Sequence, residues 1–192
     1  MTTHRLAWVL TVVVSACASG PRAVEPFELQ YRGAGSPAPS ELISRVASQR
    51  TFALLACVDT RPSPAVVGIV EETQAELQVR TNVAEFCAKR LTTMLGAAGL
   101  QLSASPDTIT IAPEIVAFNV NEGGVYRGDV RLRMTITAPG KAPFTALYIG
   151  GSKRWGRSQN VENYNETLSN AFESAVSKML HDDEGFGLAI AQ

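Results

Sequence analysis

Val125-Tyr126-Arg127-Gly128-Asp129-Val130-Arg131-Leu132-Arg133-Met134-Thr135-Ile136-Thr137-Ala138 carries the clearest pattern in the chain. Val130, Leu132, Met134 and Ile136 alternate with Arg131, Arg133, Thr135 and Thr137, and a period of two puts each set on its own face of a β-strand. One face is therefore dry and the other wet, with two arginines on the wet side, as in an antiparallel sheet covered on one side. Working backwards, Glu122-Gly123-Gly124 is a turn-forming cluster and Thr108 to Val120 a second arm, so the two arms read as a long hairpin. Working forwards, Pro139-Gly140-Lys141 makes the next turn, and Pro143 to Ile149 a third antiparallel strand.

Helices flank this meander. Asn82 to Ala98 begins with a capping residue and Glu85 three positions later. Val83, Phe86, Cys87, Leu91, Met94, Leu95 and Ala98 fall on one stripe at helical spacing, and Gly99 stands where a left-handed C-terminal residue is favoured. Val161 to Leu180 repeats the pattern, with Val161, Tyr164, Leu168, Ala171, Phe172, Ala175, Val176 and Met179 on one stripe. Upstream, Thr51 to Val58 is a continuous apolar run suited to a central strand, stopped by Pro62 and Pro64, and Ala75 to Val79 is a weaker strand. The order strand, helix, meander, helix predicts an α+β fold. It is a two-layer sandwich, a four- to five-stranded mainly antiparallel sheet with two amphipathic helices on one face.

Composition excludes several classes. The 192 residues are 45% hydrophobic and 18% charged, enough for one domain but not for two well-filled ones. Seventeen Lys and Arg against eighteen Asp and Glu leave a net charge of -1, without the basic surface of a nucleic-acid binder.

The first residues form an export signal: basic Arg5, an apolar stretch from Leu6 to Val14, then small residues. That stretch is shorter than the roughly 20 residues a membrane-spanning helix needs. Val14-Ser15-Ala16-Cys17 resembles the bacterial lipobox, in which the cysteine is acylated and becomes the first residue of the mature chain. The resemblance implies a lipid anchor on Cys17 and, with Ala18 and Ser19 rather than Asp following, the outer membrane, periplasmic face. The organisation expected is signal peptide 1–16, lipidated Cys17 with a Pro/Gly-rich tether to residue 50, one domain over 51–185, and a tail over 186–192. Within the tether, Phe27 to Tyr31 alternates like a short edge strand and Glu41 to Gln49 can make a helical turn or two. Losing the leader removes His4 and leaves His181 as the one histidine, which excludes a zinc site with two histidine ligands.

Val58-Asp59-Thr60-Arg61-Pro62, Leu95-Gly96-Ala97-Ala98-Gly99-Leu100, Ile109-Thr110-Ile111 and Leu180-His181-Asp182-Asp183 resemble the YajG-type bacterial lipoproteins over about residues 51–183. This implies a periplasm-facing outer-membrane lipoprotein without established catalysis. Asp59 and Arg61 carry over as matching positions, with no role attached.

Four constellations stand out. Cys57, in the apolar run, and Cys87, on the apolar face of the first helix, can meet in the core as a disulfide or lie there as separate buried thiols. Asp59 and Arg61, at a strand end before a Pro-rich loop, suit either a turn-fixing ion pair or a partner contact. Lys153, Arg154, Trp155 and Arg157 combine three positive charges with the one tryptophan left after the leader, either a basic loop for a partner or a solvated strand end with Trp155 laid back on the sheet. Gly150-Gly151-Ser152-Lys153 lacks P-loop spacing, and Asp182-Asp183-Glu184 lacks the spaced ligands of a calcium loop. No catalytic residue, metal or cofactor is expected. The functional expectation is a non-enzymatic binding or scaffold domain for an envelope protein or cell-wall partner. The alternative is an accessory factor in transport or assembly of envelope components, holding a lipid or glycolipid between sheet and helices.

Overall fold

The computed structural model describes residues 24–103, 108–156 and 158–191. The meander is its centre. β6 (Ile109–Glu122), β7 (Val125–Thr137) and β8 (Phe144–Trp155) are long antiparallel neighbours. In β6, Ile109, Ile111 and Ile115 point inward, and then the parity changes to Phe118, Val120 and Glu122. A β-bulge at Val116 accounts for the change: Ile115 pairs with Leu132 and Ala117 with Arg131, so one extra residue returns the apolar set to the same face.

The other edge of β6 is lined by three short strands in parallel, β1 (Thr51–Leu54), β2 (Val58–Asp59) and β3 (Val66–Val70). β4 (Ala75–Gln78) pairs antiparallel with β3, β5 (Gln101–Leu102) pairs parallel with β1, and Phe27 bridges Val79. This corrects the expectation of a four- to five-stranded antiparallel sheet with two helices. Among the described residues the sheet has eight strands and is mixed, and four helices accompany it. The class remains α+β.

The reasons are local. The run from Thr51 is not one central strand, because the ladder breaks between Leu54 and Val58, opposite Ala112 and Pro113, and Pro113 has no amide hydrogen to give. Leu55 and Val58 are consequently exposed. Pro62 and Pro64 interrupt the edge again, and Val66–Val70, from which no strand was expected, resumes it.

α2 (Val83–Ala97) begins where the capping residue places it, the Asn82 side chain accepting from the amides of Ala84 and Glu85, and ends before Gly99 at φ 90°. α3 (Val161–Leu180) is capped by Asn160 and lies across β7 and β8. Its close approach depends on small residues. Ala171 and Ala175 sit over Gly150, and the Thr167 carbonyl and Ala171 over Gly128, leaving no room for a Cβ on either glycine.

The core reaches beyond residues 51–185 at both ends. Phe27 and Leu29 are buried, and α1 (Glu41–Ala47), capped by Ser40, buries Ile43 and Ala47. After α3 a π-helical turn (Asp183–Gly187) runs into α4 (Leu188–Ala191), burying Phe186 and Ile190. Segment 28–32 is held by α3 side chains one turn apart. The Gln30 amide donates to Asn165 Oδ1, the Arg32 amide to Ser169 Oγ, and the Tyr31 hydroxyl to Glu173 Oε2. The stretch read as tether is thus part of the folded unit from about Phe27 onward. Buried Phe27, Leu29, Ile43 and Ala47 and the polar side chains of α3 fasten it together.

Candidate functional site

Three groups of residues bear on function: the Asp59–Arg61 pair, a buried polar cluster at Glu122, and the open face of β7 and β8. Asp59 ends β2, and Arg61 turns back over it before Pro62. The guanidinium makes a two-pronged contact, Nε to Asp59 Oδ1 at 2.9 Å and Nη2 to Asp59 Oδ2 at 2.7 Å. Nη2 also donates to the Pro64 carbonyl, and Nη1 to those of Val66 and Phe118. All five donors are thereby used. The arginine side chain is 4% exposed and lies over the Phe118 ring. Between the two roles left open for this pair, the geometry is that of a post tying the 60–66 loop to β6; no donor of Arg61 remains for a partner.

Glu122, read from sequence only as part of a turn, is 4% exposed. Its carboxylate accepts the Tyr164 hydroxyl and the amides of Ser158 and Gln159 at 3.0 and 2.9 Å. Tyr126 joins through its hydroxyl, which contacts Ser158 and Asn163, and its ring meets Tyr164 edge to face. Gln159 adopts φ 45°, a left-handed backbone for a non-glycine residue, and its amide points at the carboxylate. A cavity of about 270 Å³ opens beside the cluster, lined by Val70, Glu72, Glu122, Gly123, Ser158 and Gln159. Each carboxylate oxygen of Glu122 has a donor, so the cluster locks the β6–β7 turn to the start of α3. Glu122→Gln removes the charge that Tyr164 and the two amides share, and is expected to cost about 1–2 kcal/mol in urea unfolding.

Burial, reinforced by a hydrogen-bonded carboxylate in each case, raises the ionisation of Tyr164 (Glu122), Tyr148 (Asp182) and Tyr31 (Glu173) well above the ordinary tyrosine range. A folded-state pKa raised above the unfolded value means stability that is complete below about pH 10 and declines as pH rises further. In an ultraviolet titration these three hydroxyls should stay protonated at pH 11 and ionise only as the protein unfolds. Reversible ionisation of these three tyrosines near pH 10 in the folded state would contradict the burial.

The segment Gly150–Trp155, weighed as a loop, is the second half of β8. Its parity divides the basic cluster. Arg154 turns inward to pair with Glu166 on α3, while Lys153 and Trp155 face outward, the ammonium 5.2 Å from the indole centroid. Trp155 is 78% exposed and does not lie back on the sheet. Leu147 and Ile149, at 45% and 43% exposure, share its face, and cross-strand pairing sets Arg133 beside Leu147 and Arg131 beside Ile149. Arg131 and Arg133 are themselves paired with Asp129 and Glu114, and Arg133 holds the Glu114 carboxyl below its usual range. Among the described residues β8 pairs with β7 alone, and Lys178 of α3 donates to the Ile149 carbonyl, a cation guarding the middle of an edge strand. Sequence reading passed over Leu147 and Ile149. The signal was present, since Ala146 to Ile149 is apolar at both parities and only one parity can face the core.

The chain shares its fold with a Xanthomonas protein. XCC0632 of Xanthomonas campestris, described as family DUF330, superposes with a TM-score of 0.53 at 12% identity, over 85% of this chain and 97% of that one. The PelC dodecamer subunit from Paraburkholderia phytofirmans gives a TM-score of 0.43 at 10% identity, over 74% and 92% of the two chains. Likeness at such identity is one of fold, and sites have to be argued from residues. No family model matches the sequence, and no curated protein matches it significantly.

Of the remaining sequence-derived positions, Cys57 and Cys87 come together, their sulfurs 2.9 Å apart. Cys17, the leader and Arg157 lie outside the described residues. Among the described residues no helix is long and apolar enough to cross a membrane, and no three metal-ligating side chains converge.

Proposed function

We propose that this chain is a lipid-anchored lipoprotein of the bacterial outer membrane, facing the periplasm, that works without catalysis as a binding domain, and that the open face of β7 and β8 receives a protein partner. The observation carrying the reading is the outward row of Leu147, Ile149 and Trp155 beside Arg131, Arg133 and Lys153. An aromatic and aliphatic strip on a regular strand has the composition of an interface, and with Arg131 and Arg133 already paired to Asp129 and Glu114 it fits a partner segment that is mainly apolar. The lipobox and the YajG-type resemblance support the address. Nine residues separate Cys17 from buried Phe27, so a leash of at most about 35 Å would keep this domain near the lipid surface.

The test is photo-crosslinking in live cells from a probe at position 147, with Trp155→Ala and Ile149→Glu introduced separately. A single envelope protein should be captured, and either substitution should reduce its capture at least tenfold while leaving the melting temperature within about 2 °C. Capture of lipid or glycolipid alone would favour the accessory transport role instead. The address has its own check: labelled palmitate should enter the wild type and not Cys17→Ala.

A further inference from the structure

We infer that Cys57 and Cys87 form a disulfide bond, closed when the chain meets a disulfide oxidant; the export reading above enters only in saying where that happens. Cys57 stands in the break between β1 and β2, where the edge has left its ladder with β6, and Cys87 is on the buried face of α2. The two sulfurs face each other at 2.9 Å, with Cys87 fully buried and Cys57 nearly so. A sulfur–sulfur bond is about 2.05 Å long, so under 1 Å of travel joins them. The surroundings are those of a cross-link rather than of a reactive thiol. The contact with Cys57 and then burial raise the Cys87 thiol well above its ordinary range, which suppresses the thiolate that attacks electrophiles or binds metals.

The bond forms by exchange as the chain folds, before α2 seals the pair. The Cys57 thiolate attacks one sulfur of the oxidant's disulfide, giving a mixed disulfide and one released oxidant thiol, which takes up the Cys57 proton. Cys87 then attacks the Cys57 sulfur, and its proton goes to the second oxidant thiol as that leaves. Two protein thiols are oxidised and one oxidant disulfide is reduced to two thiols. The product spans 30 positions and ties the start of β2 to α2 around the interrupted edge that carries β2, β3 and β4. It supplies a covalent tie where the sheet ladder is missing.

Full-length protein from fractionated cells, alkylated under denaturing conditions and mapped by mass spectrometry, tests this. The Cys57 and Cys87 peptides should emerge joined, with neither thiol alkylated until reductant is added. Reductant should lower the melting temperature by roughly 5–10 °C, and the double substitution Cys57→Ser with Cys87→Ser should abolish that response. Protein reduced in urea and refolded with oxidised glutathione present should reseal the same pair. Free thiols in envelope-derived protein that stay free after unfolding and refolding with oxidised glutathione would overturn the inference. Protein found in the cytoplasm with free thiols that then seal would refute the export reading and sustain the pair.

Discussion

Arg61→Ala is expected to destabilise the protein by about 3–5 kcal/mol, the largest effect of any single polar substitution considered for this fold. The substitution does more than delete a contact. It leaves the Asp59 carboxylate, 11% exposed, without its counterion, and it takes the side-chain donor from three carbonyls, those of Pro64, Val66 and Phe118. Buried acceptors stripped of their donors lose the hydrogen bond without regaining water, which is why such truncations cost more than the intact interaction contributes. Arg61→Lys should recover only part of the loss, because a single ammonium cannot reach both carboxylate oxygens and the three carbonyls together. Asp59→Ala combined with Arg61→Ala should cost less than the two single changes added, since the second removal no longer strands a charge. Urea unfolding monitored by circular dichroism measures all of these. The same experiment bears on the alternative role of the pair: an Arg61→Ala protein with unchanged melting but no partner capture would make this a contact site and overturn its reading as a structural post.

Gly150→Ala is expected to cost about 3 kcal/mol, although it adds one methyl group to a strand and would ordinarily raise β propensity. The Cβ would be driven into the Ala171 carbonyl oxygen and the Ala175 amide nitrogen of α3. Those are backbone atoms in the middle of a helix and cannot rotate aside, so α3 has to lift from β8 or β8 has to bend. Gly151→Ala is the internal control. One residue further along, on the opposite face, a Cβ meets nothing nearer than the Gly128 carbonyl oxygen at 3.8 Å, and the change should stay within about 0.5 kcal/mol. A pair of neighbouring glycines with opposite responses would establish that α3 rests directly on the β8 backbone. Equal responses would mean that it does not.

These two sites also mark how far the residues can be read without their partners. The long hairpin, α2 with its Asn82 cap and α3 between Asn160 and His181 follow from local rules, because alternation, capping and helical stripes are properties of residues a few positions apart. Val66–Val70 escaped, although it is rich in valine and isoleucine and pairs locally with β4, since Pro64 and Gly68 punctuate it; its other neighbour, β6, lies some fifty residues away. The parallel pairing of β1, β2 and β3 to one edge of β6 has no sequence signature, because a period of two is the same whichever way the neighbour runs.

What the sequence determined by itself is the alternation that makes β7 dry on one side, the caps and stripes of α2 and α3, and the nearness of Asp59 to Arg61. Each depends on backbone geometry over less than two turns or one strand. Only the tertiary structure decided which donors Arg61 spends, that Glu122 is buried beneath Tyr164, that Cys57 and Cys87 meet, and that Leu147, Ile149 and Trp155 face outward. Those outcomes depend on which element covers which face and on parity shifts such as the bulge at Val116. Burial and hydrogen-bond partnership are relations between distant segments, and they take a value only once the chain has closed on itself.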